Sequence, residues 1–364
     1  MRVGDHSILR VRVLRFVTTQ EPRYDFEKSL LTVISRPSFI TKSLNPTICE
    51  DMRRNSCYNV KVENVDYANW EVQRMSDFVL MTDSSCDLPA ELAETMALSV
   101  LPLYVDVDSQ KYINYLDERE IAFSEIYAKL RTKCPAKTSA VNFNDFLGAM
   151  EALLRQGKDI LYIGFSSGLS STYDAGASAA RELAERYPER KIYAVDSLCA
   201  SMGQGLLVYL AWKQKQRGRT IEQVRDYVED NKLHLCHWFT IDDLMFLKRG
   251  GRISGATAIV GSMLSIKPVM HVDNEGHLIK VGTARGRKAS LKALADQAGR
   301  LGVDLGIQTV FISHGDCLAD ANYLADIMRA RFGVKDIVIN YVGPVIGAHS
   351  GPGTVALFFL GKER

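Results

Sequence analysis

The chain has 364 residues, 46% of them hydrophobic and 24% charged, with a formal net charge of +2 at pH 7. That length allows two or three ordinary domains with a well-buried core. So even a charge balance marks neither a nucleic-acid binder nor a membrane-surface binder, and no apolar run approaches the ~20 residues that a membrane-spanning helix needs. Seven cysteines occur, at Cys49, Cys57, Cys86, Cys134, Cys199, Cys236 and Cys317. They are odd in number, scattered and without a C-x-x-C pair, as expected of free thiols in a reducing cytosol. His234, Cys236 and His237 crowd together, but their spacing does not set all three on one face of a helix or strand. They read as partly buried polar residues near a strand rather than as metal ligands.

Residues 1–74 show no sustained periodicity. They carry 12 Lys and Arg against 9 Asp and Glu, a net of +3, and lack the apolar core of a secretory signal. Met75 is followed at once by a strand pattern, FVLMTD. The first 74 residues are therefore expected to be an extension, poorly ordered or loosely attached, with Met75 as an alternative start of translation.

From Phe78 apolar runs alternate with helical patterns. FVLMTD predicts a strand, and SSCDLPAELAETM a helix with Pro89 in its first turn. SVLPLYVDVD predicts a second strand region, REIAFSEIYAKLRT an amphipathic helix, and KTSAVNFNDFLGAMEALLRQG another helix, begun at Thr138 and Ser139. DILYIGF and KIYAVDS predict strands, each followed by a helix: SSTYDAGASAARELAERY, and the mostly apolar segment from Cys199 to Lys215. This alternation argues a parallel sheet with helices on both faces.

Three segments place hydroxyls just before a helical pattern: TDSS (Thr82 to Ser85), KTS (Lys137 to Ser139) and GFSSGLSST (Gly164 to Thr172). One hydroxyl per helix is ordinary N-capping. Five Ser or Thr among the seven residues from Ser166 to Thr172 exceed that need. A helix N-terminus lined with hydroxyls suits an anion or carboxylate, and in a doubly wound sheet such turns lie at the carboxyl ends of strands, where ligands bind. GFSSG also fits the G-x-S-x-G nucleophile elbow in the strand-turn-helix context of a hydrolase. Ser166 would then be the nucleophile, with Asp196 or Asp316 and His349 completing the chain order Ser, Asp, His. The surrounding hydroxyls, and the lack of an oxyanion loop of the HGGG kind, favour binding over nucleophilic catalysis.

From about Leu235 the rhythm changes. KRGGRIS (Lys248 to Ser254) combines three cations with two glycines. Lys248, Arg249 and Arg252 read either as a solvated loop or, with ARGRK, as a basic docking patch. The apolar stretch Ala256–Ile266 predicts a helix, either core or part of a tunnel wall. HVDNEGHLIKVGTA predicts a hairpin with Asn274, Glu275 and Gly276 at the bend. TVFISHGD predicts a strand, DANYLADIMRARFG a helix and DIVINYVG a strand. AHSGPGT sets His349 and Ser350 in a glycine-rich turn whose backbone can approach a ligand closely.

Taken in order, TDSSCDLP, KTSAV, FSSGLSSTY, DSLCASMGQG, LKRGGRIS, SIKPVM, ARGRKA, SHGD and GAHSGPG resemble the DegV family from about Asp77 to Phe359. Each piece is weak alone; their order and spacing are specific. The resemblance implies an α/β chain of two domains, a parallel-sheet domain over 75–232 and a mixed α/β domain over 233–364, with a long-chain fatty acid between them. It implies a fatty-acid-binding subunit of bacterial fatty acid kinase: a cytoplasmic carrier, not itself an enzyme, needing no cofactor. Its bound carboxylate is phosphorylated by a separate ATP-dependent kinase, and the product enters phospholipid synthesis. By the same resemblance the carboxylate ligands are Thr138, Ser139, Ser166 and Ser167, with Ser170 nearby and His349 approaching from the second domain, while Arg285 meets the kinase. Ala140-Val141, where many members have glutamine-proline, and Ser350, where many have threonine, depart from the pattern without removing any assigned hydroxyl.

Overall fold

The computed structural model describes residues 78–253 and 265–364, together with the backbone of two short strands nearer the N-terminus. The chain divides into two compact units, Met1–Gln73 and Arg74–Arg364. In the first, β1 (Ile8–Arg10) and β2 (Thr32–Ile34) pair antiparallel, with Ile8 opposite Ile34. The expectation of an extension over 1–74 otherwise lies outside the described residues. So does that of a helix over 256–266, except that Ile266 opens a strand.

The second unit begins with β3 (Phe78–Asp83), a 3-10 turn over Ser84–Cys86 and α1 (Ala90–Thr95). There follow β4 (Ser99–Leu101), β5 (Leu103–Val107), β6 (Gln110–Asn114), α2 (Phe123–Arg131), β7 (Ala136–Ser139), α3 (Phe143–Arg155), β8 (Asp159–Gly164), α4 (Thr172–Arg186), β9 (Ile192–Asp196), α5 (Met202–Gln216) and α6 (Ile221–Asn231). The remainder comprises β10 (Leu235–Thr240), α7 (Met245–Arg249), β11 (Ile266–Val272), β12 (Leu278–Arg285), α8 (Arg287–Leu301), β13 (Thr309–His314), α9 (Leu318–Phe332), β14 (Asp336–Tyr341), α10 (Pro344–Ser350) and β15 (Val355–Leu360).

Strands β4-β3-β8-β9 form the expected parallel sheet. Almost every residue of β3 and β8 is buried, as continuous apolar runs covered on both faces should be. Strands β12-β11-β10-β15-β13-β14 form a mixed sheet in which β13 and β14 are the parallel pair. Helix α5 is mostly apolar and buried over Met202–Val208 rather than along one stripe, because it is enclosed: it packs on β3 and β8 and also on β10, β13 and β15. One core therefore joins Phe78, Leu80 and Leu161 through Leu206 and Leu207 to Phe239, Met270, Phe311 and Phe358. The other face of the parallel sheet packs Met81, Ile160 and Tyr162 with Phe146 and Met150 of α3. The other face of the mixed sheet packs Val310, Leu357 and Phe359 with Leu291 and Leu294 of α8.

Three local expectations are corrected. SVLPLYVDVD is not one strand: β4 joins the parallel sheet and β5 the antiparallel β6-β5-β7 sheet, with the break at Pro102, which has no N–H to continue a ladder. KTS does not begin a helix: Thr138 lies opposite Val105 in β7, and α3 begins after Asn142, whose side chain accepts a hydrogen bond from the Asp145 N–H. His349 and Ser350 close the helix α10, not a turn; Pro344 at its start and Gly351 beyond its end, at φ +80°, bound it. Among the described residues, no helix is long and apolar enough to cross a membrane.

Candidate functional site

A cavity of about 230 Å³ lies between the carboxyl ends of the parallel strands and the face of the mixed sheet. Phe165, Leu169, Ser170 and Ser171, following β8, and Ala200 and Ser201, preceding α5, line one side. Phe239, Val272, Leu278, Ala356 and Phe358 line the other. Leu103, Val345 and Ile346 close it with further apolar surface, so most of its wall offers no hydrogen bond.

Polar groups gather near α10. Thr138 Oγ1 lies 2.8 Å from His349 Nε2, and both line the cavity with Ser170 and Arg252. The His349 imidazole is neutral: burial, reinforced by the Arg252 charge, pushes its pKa down to about 4. Its Nδ1 has no hydrogen-bond partner among the described residues and packs against Gly250, where an added Cβ would fall 2.1 Å away. The Arg252 guanidinium donates from Nη2 to the Leu169 carbonyl at 2.9 Å and from Nη1 to the Gly250 carbonyl at 2.5 Å. Ser170 Oγ lies 2.9 Å from Thr172 Oγ1 and accepts from the Thr172 N–H at 3.2 Å, at the start of α4. This end of the cavity thus combines hydroxyls, a neutral imidazole and one half-buried cation, a set suited to an anionic head group.

The other expected ligands lie elsewhere and are not among the lining residues. Ser139 is exposed on β7, opposite Tyr104. Ser166 is wholly buried; its Oγ donates to the Gly276 carbonyl at 2.9 Å and accepts from the Gly168 N–H at 3.2 Å. It ties the turn after β8 to the β11–β12 hairpin. Ser167 is exposed, its N–H donating to Asp196 Oδ1 at 3.2 Å. The partners that a hydrolase would need are engaged otherwise: His349 with Thr138, Asp196 with the Ser167 and Leu198 N–H groups, and Asp316 with Arg131 and Tyr341. Arg285 is exposed at the end of β12, just before Gly286 at φ +85°.

TDSS is structural. Asp83 Oδ2 accepts from Tyr162 Oη at 3.1 Å and the Phe165 N–H at 3.0 Å, and Oδ1 from the Ser85 N–H at 3.1 Å. Burial raises its pKa despite these bonds. Ser84 Oγ accepts from the Leu103 N–H at 2.9 Å, which fixes the crossing from β4 to β5.

Several lining residues escape a reading of the sequence. Arg252 reads as one cation of a solvated loop, yet it is the half-buried one, while Lys248 and Arg249 are exposed. Ser201, Ser313 and His237 are buried polar residues facing an apolar wall. His237 is neutral, its pKa pushed well down by burial and then by Arg364, and its Nδ1 lies 3.0 Å from the Leu235 carbonyl. Behind Ser201 lies Asp87, 2% exposed, which accepts the Ser201 hydroxyl at 2.6 Å; burial pushes its pKa up to about 8. Asp87 and Ser201 fall inside the motifs TDSSCDLP and DSLCASMGQG, but nothing local signals that 114 positions of chain close between them.

The family described as "Uncharacterised protein, DegV family" matches residues 77–362. A DegV domain-containing protein of Clostridium perfringens is 45% identical over 290 residues, covering 80% of this chain and 99% of its own. The structure of a DegV lipid binding protein from Thermotoga maritima superposes with a TM-score of 0.70 at 27% identity, covering 79% of this chain and 99% of its own. A fatty-acid-binding DegV family protein from Thermus thermophilus gives 0.68 at 29% identity, covering 78% and 99%. The resemblance of the sequence motifs, the arrangement of the sheets and these matches agree: the chain belongs to the DegV family.

Proposed function

We propose that this protein binds a long-chain fatty acid in the cavity, with its carboxylate at Thr138, Ser170 and His349 and Arg252 beside it. The observation that carries this reading is a cavity with a largely apolar wall and a cluster of polar groups gathered near α10. The fatty-acid-binding relative from Thermus thermophilus supports it. Burying ~15 methylenes at about 0.8 kcal/mol each contributes roughly 12 kcal/mol before the costs of association, so the head group needs orientation more than affinity. Hydroxyls and a neutral imidazole orient a carboxylate while leaving it nucleophilic; a bidentate clamp would stabilise the ground state more. Arg252 donates to the Leu169 and Gly250 carbonyls, which moderates its pull on that carboxylate.

The finer reading is a cytosolic carrier subunit. The bound carboxylate attacks the γ-phosphorus of ATP on a partner kinase, giving an acyl phosphate and ADP, and Arg285 meets that partner. The exposed position of Arg285 supports this, and its replacement by Glu should slow acyl-phosphate formation without releasing the lipid. Extraction and mass spectrometry of the purified protein test the main proposal: a co-purified fatty acid is expected. Protein that is empty, and that shows no saturable binding of added stearic acid, would overturn it.

A further inference from the structure

Two of the buried hydroxyls in the cavity wall stand next to each other among apolar side chains, and the head group does not use them. Ser201 is 4% exposed and Ser313 fully buried, and both line the cavity among Phe239, Ala356 and Phe358. Their Oγ atoms lie 3.0 Å apart, and Ser201 Oγ lies 2.6 Å from Asp87 Oδ2. Position along the sheet separates them from the head. Thr354 Oγ1 donates to the Ser350 carbonyl, beside His349. Ser313 lies opposite Ala356, two residues further along the same chain segment. Ala356 also lies opposite Phe239, so the pair sits within the apolar part of the wall, beside the body of a bound chain.

The pair is held at a cost. Ser201 has φ +52° and ψ −143°, a region essentially reserved for glycine, and side chains forced there cluster at ligand clamps. A carboxyl group is buried behind it, although burying such a group without full pairing is unfavourable.

We propose that Ser313 and Ser201, backed by Asp87, form a second polar subsite that accepts a hydroxyl group carried part-way along the acyl chain. This rests on the fatty-acid reading above. The chemistry favours a hydroxyl over a keto group. With Asp87 ionised, Ser201 donates to it, Ser313 donates to Ser201, and Ser313 has only lone pairs left for the ligand. With Asp87 protonated, the chain can run the other way, from Asp87 to Ser201 to Ser313, and Ser313 donates into the cavity. A hydroxyl, both donor and acceptor, fits either direction; a keto oxygen fits only the second. Burial of Asp87 favours the protonated arrangement at neutral pH.

The test uses the delipidated full chain. Affinities for stearic acid and for hydroxystearic acids substituted at successive mid-chain carbons are measured by displacement of a fluorescent fatty acid. At one internal position, the ratio of hydroxystearate to stearate affinity should exceed that at the other positions, and should fall about fivefold in Ser313→Ala. Ser201→Gly, whose backbone prefers the observed φ, should lower the same ratio if Ser313→Ala does not fold. A ratio unaltered by both substitutions, or one showing no positional preference, would overturn the subsite while leaving the fatty-acid reading intact. Absence of stearate binding in the unsubstituted chain would overturn both.

Discussion

Thr138 Oγ1 and His349 Nε2, 2.8 Å apart, join a strand of the first half of the molecule to a helix of the second across 211 positions of chain. In Thr138→Val the shape is kept and the hydroxyl lost, so His349 Nε2 loses its partner. A buried polar atom left unpaired costs about 1–3 kcal/mol. The variant should bind stearic acid about tenfold more weakly, checked by displacement titration against the unsubstituted chain.

His349 makes stability depend on pH in a definite sense. Its folded pKa, about 4, lies below the ordinary 6.5, so between these values the unfolded chain binds the extra proton. The stabilisation is present in full above pH 6.5 and is lost as the pH falls towards 4. In His349→Gln, urea denaturation between pH 6.5 and 4 should show a shallower fall in stability than in the unsubstituted chain. An equal fall in both would remove His349 as the source.

Asp87 acts in the opposite sense. Burial holds its folded pKa at about 8, above the ordinary 3.8, so between these values the folded chain binds the extra proton. Stability is highest at low pH on this account and declines as the pH rises through 4 to 8. Asp87→Asn should flatten that decline, measured as the difference in urea midpoint between the two chains at pH 5 and pH 8.

Ser166 and Gly276 form a coupled pair. Gly276 has φ +80°, and a Cβ there would fall 2.1 Å from Ser166 Oγ. Gly276→Ala should cost roughly 2 kcal/mol or more from strain and overlap. Ser166→Ala should cost about 1–2 kcal/mol through its lost bonds. The double variant should cost less than the sum, because the overlap disappears with the hydroxyl. Chemical denaturation of the four chains closes the cycle.

Ser166 should also resist covalent chemistry. Its hydroxyl is buried and donates to a carbonyl, whereas an activated serine needs a base within reach of its proton. Intact mass after exposure to a fluorophosphonate should be unchanged; a stoichiometric adduct at Ser166 would restore the hydrolase reading.

Much of the architecture is legible in the sequence because it is local. FVLMTD and DILYIG are continuous apolar runs, and they became the covered central strands of the parallel sheet. HVDNEGHLIKVGTA carries its turn within it and became β11 and β12. KTS was harder. Its hydroxyls could cap a helix or lie in a strand, and pairing with Val105, 33 positions earlier, decided for the strand. Arg252 and Lys248 are equivalent as letters; only the packing of the segment under Leu169 half-buries one of them.

The hydroxyl-rich turn after β8 shows the same limit at closer range. Composition alone marked Ser166 to Thr172 as more than a cap, and the family resemblance marked a carboxylate site. Neither could sort the five hydroxyls, because sorting them depends on what lies opposite. Gly276 arrives from the hairpin of the mixed sheet and takes Ser166, Asp196 takes the backbone of Ser167, and Ser170 and Ser171 are left lining the cavity. Periodicity, turn chemistry and motif order determine elements and family, since these are properties of neighbouring residues. The identity of the groups that line the cavity is decided by the closing of two sheets over one helix, which brings together atoms separated by more than a hundred residues.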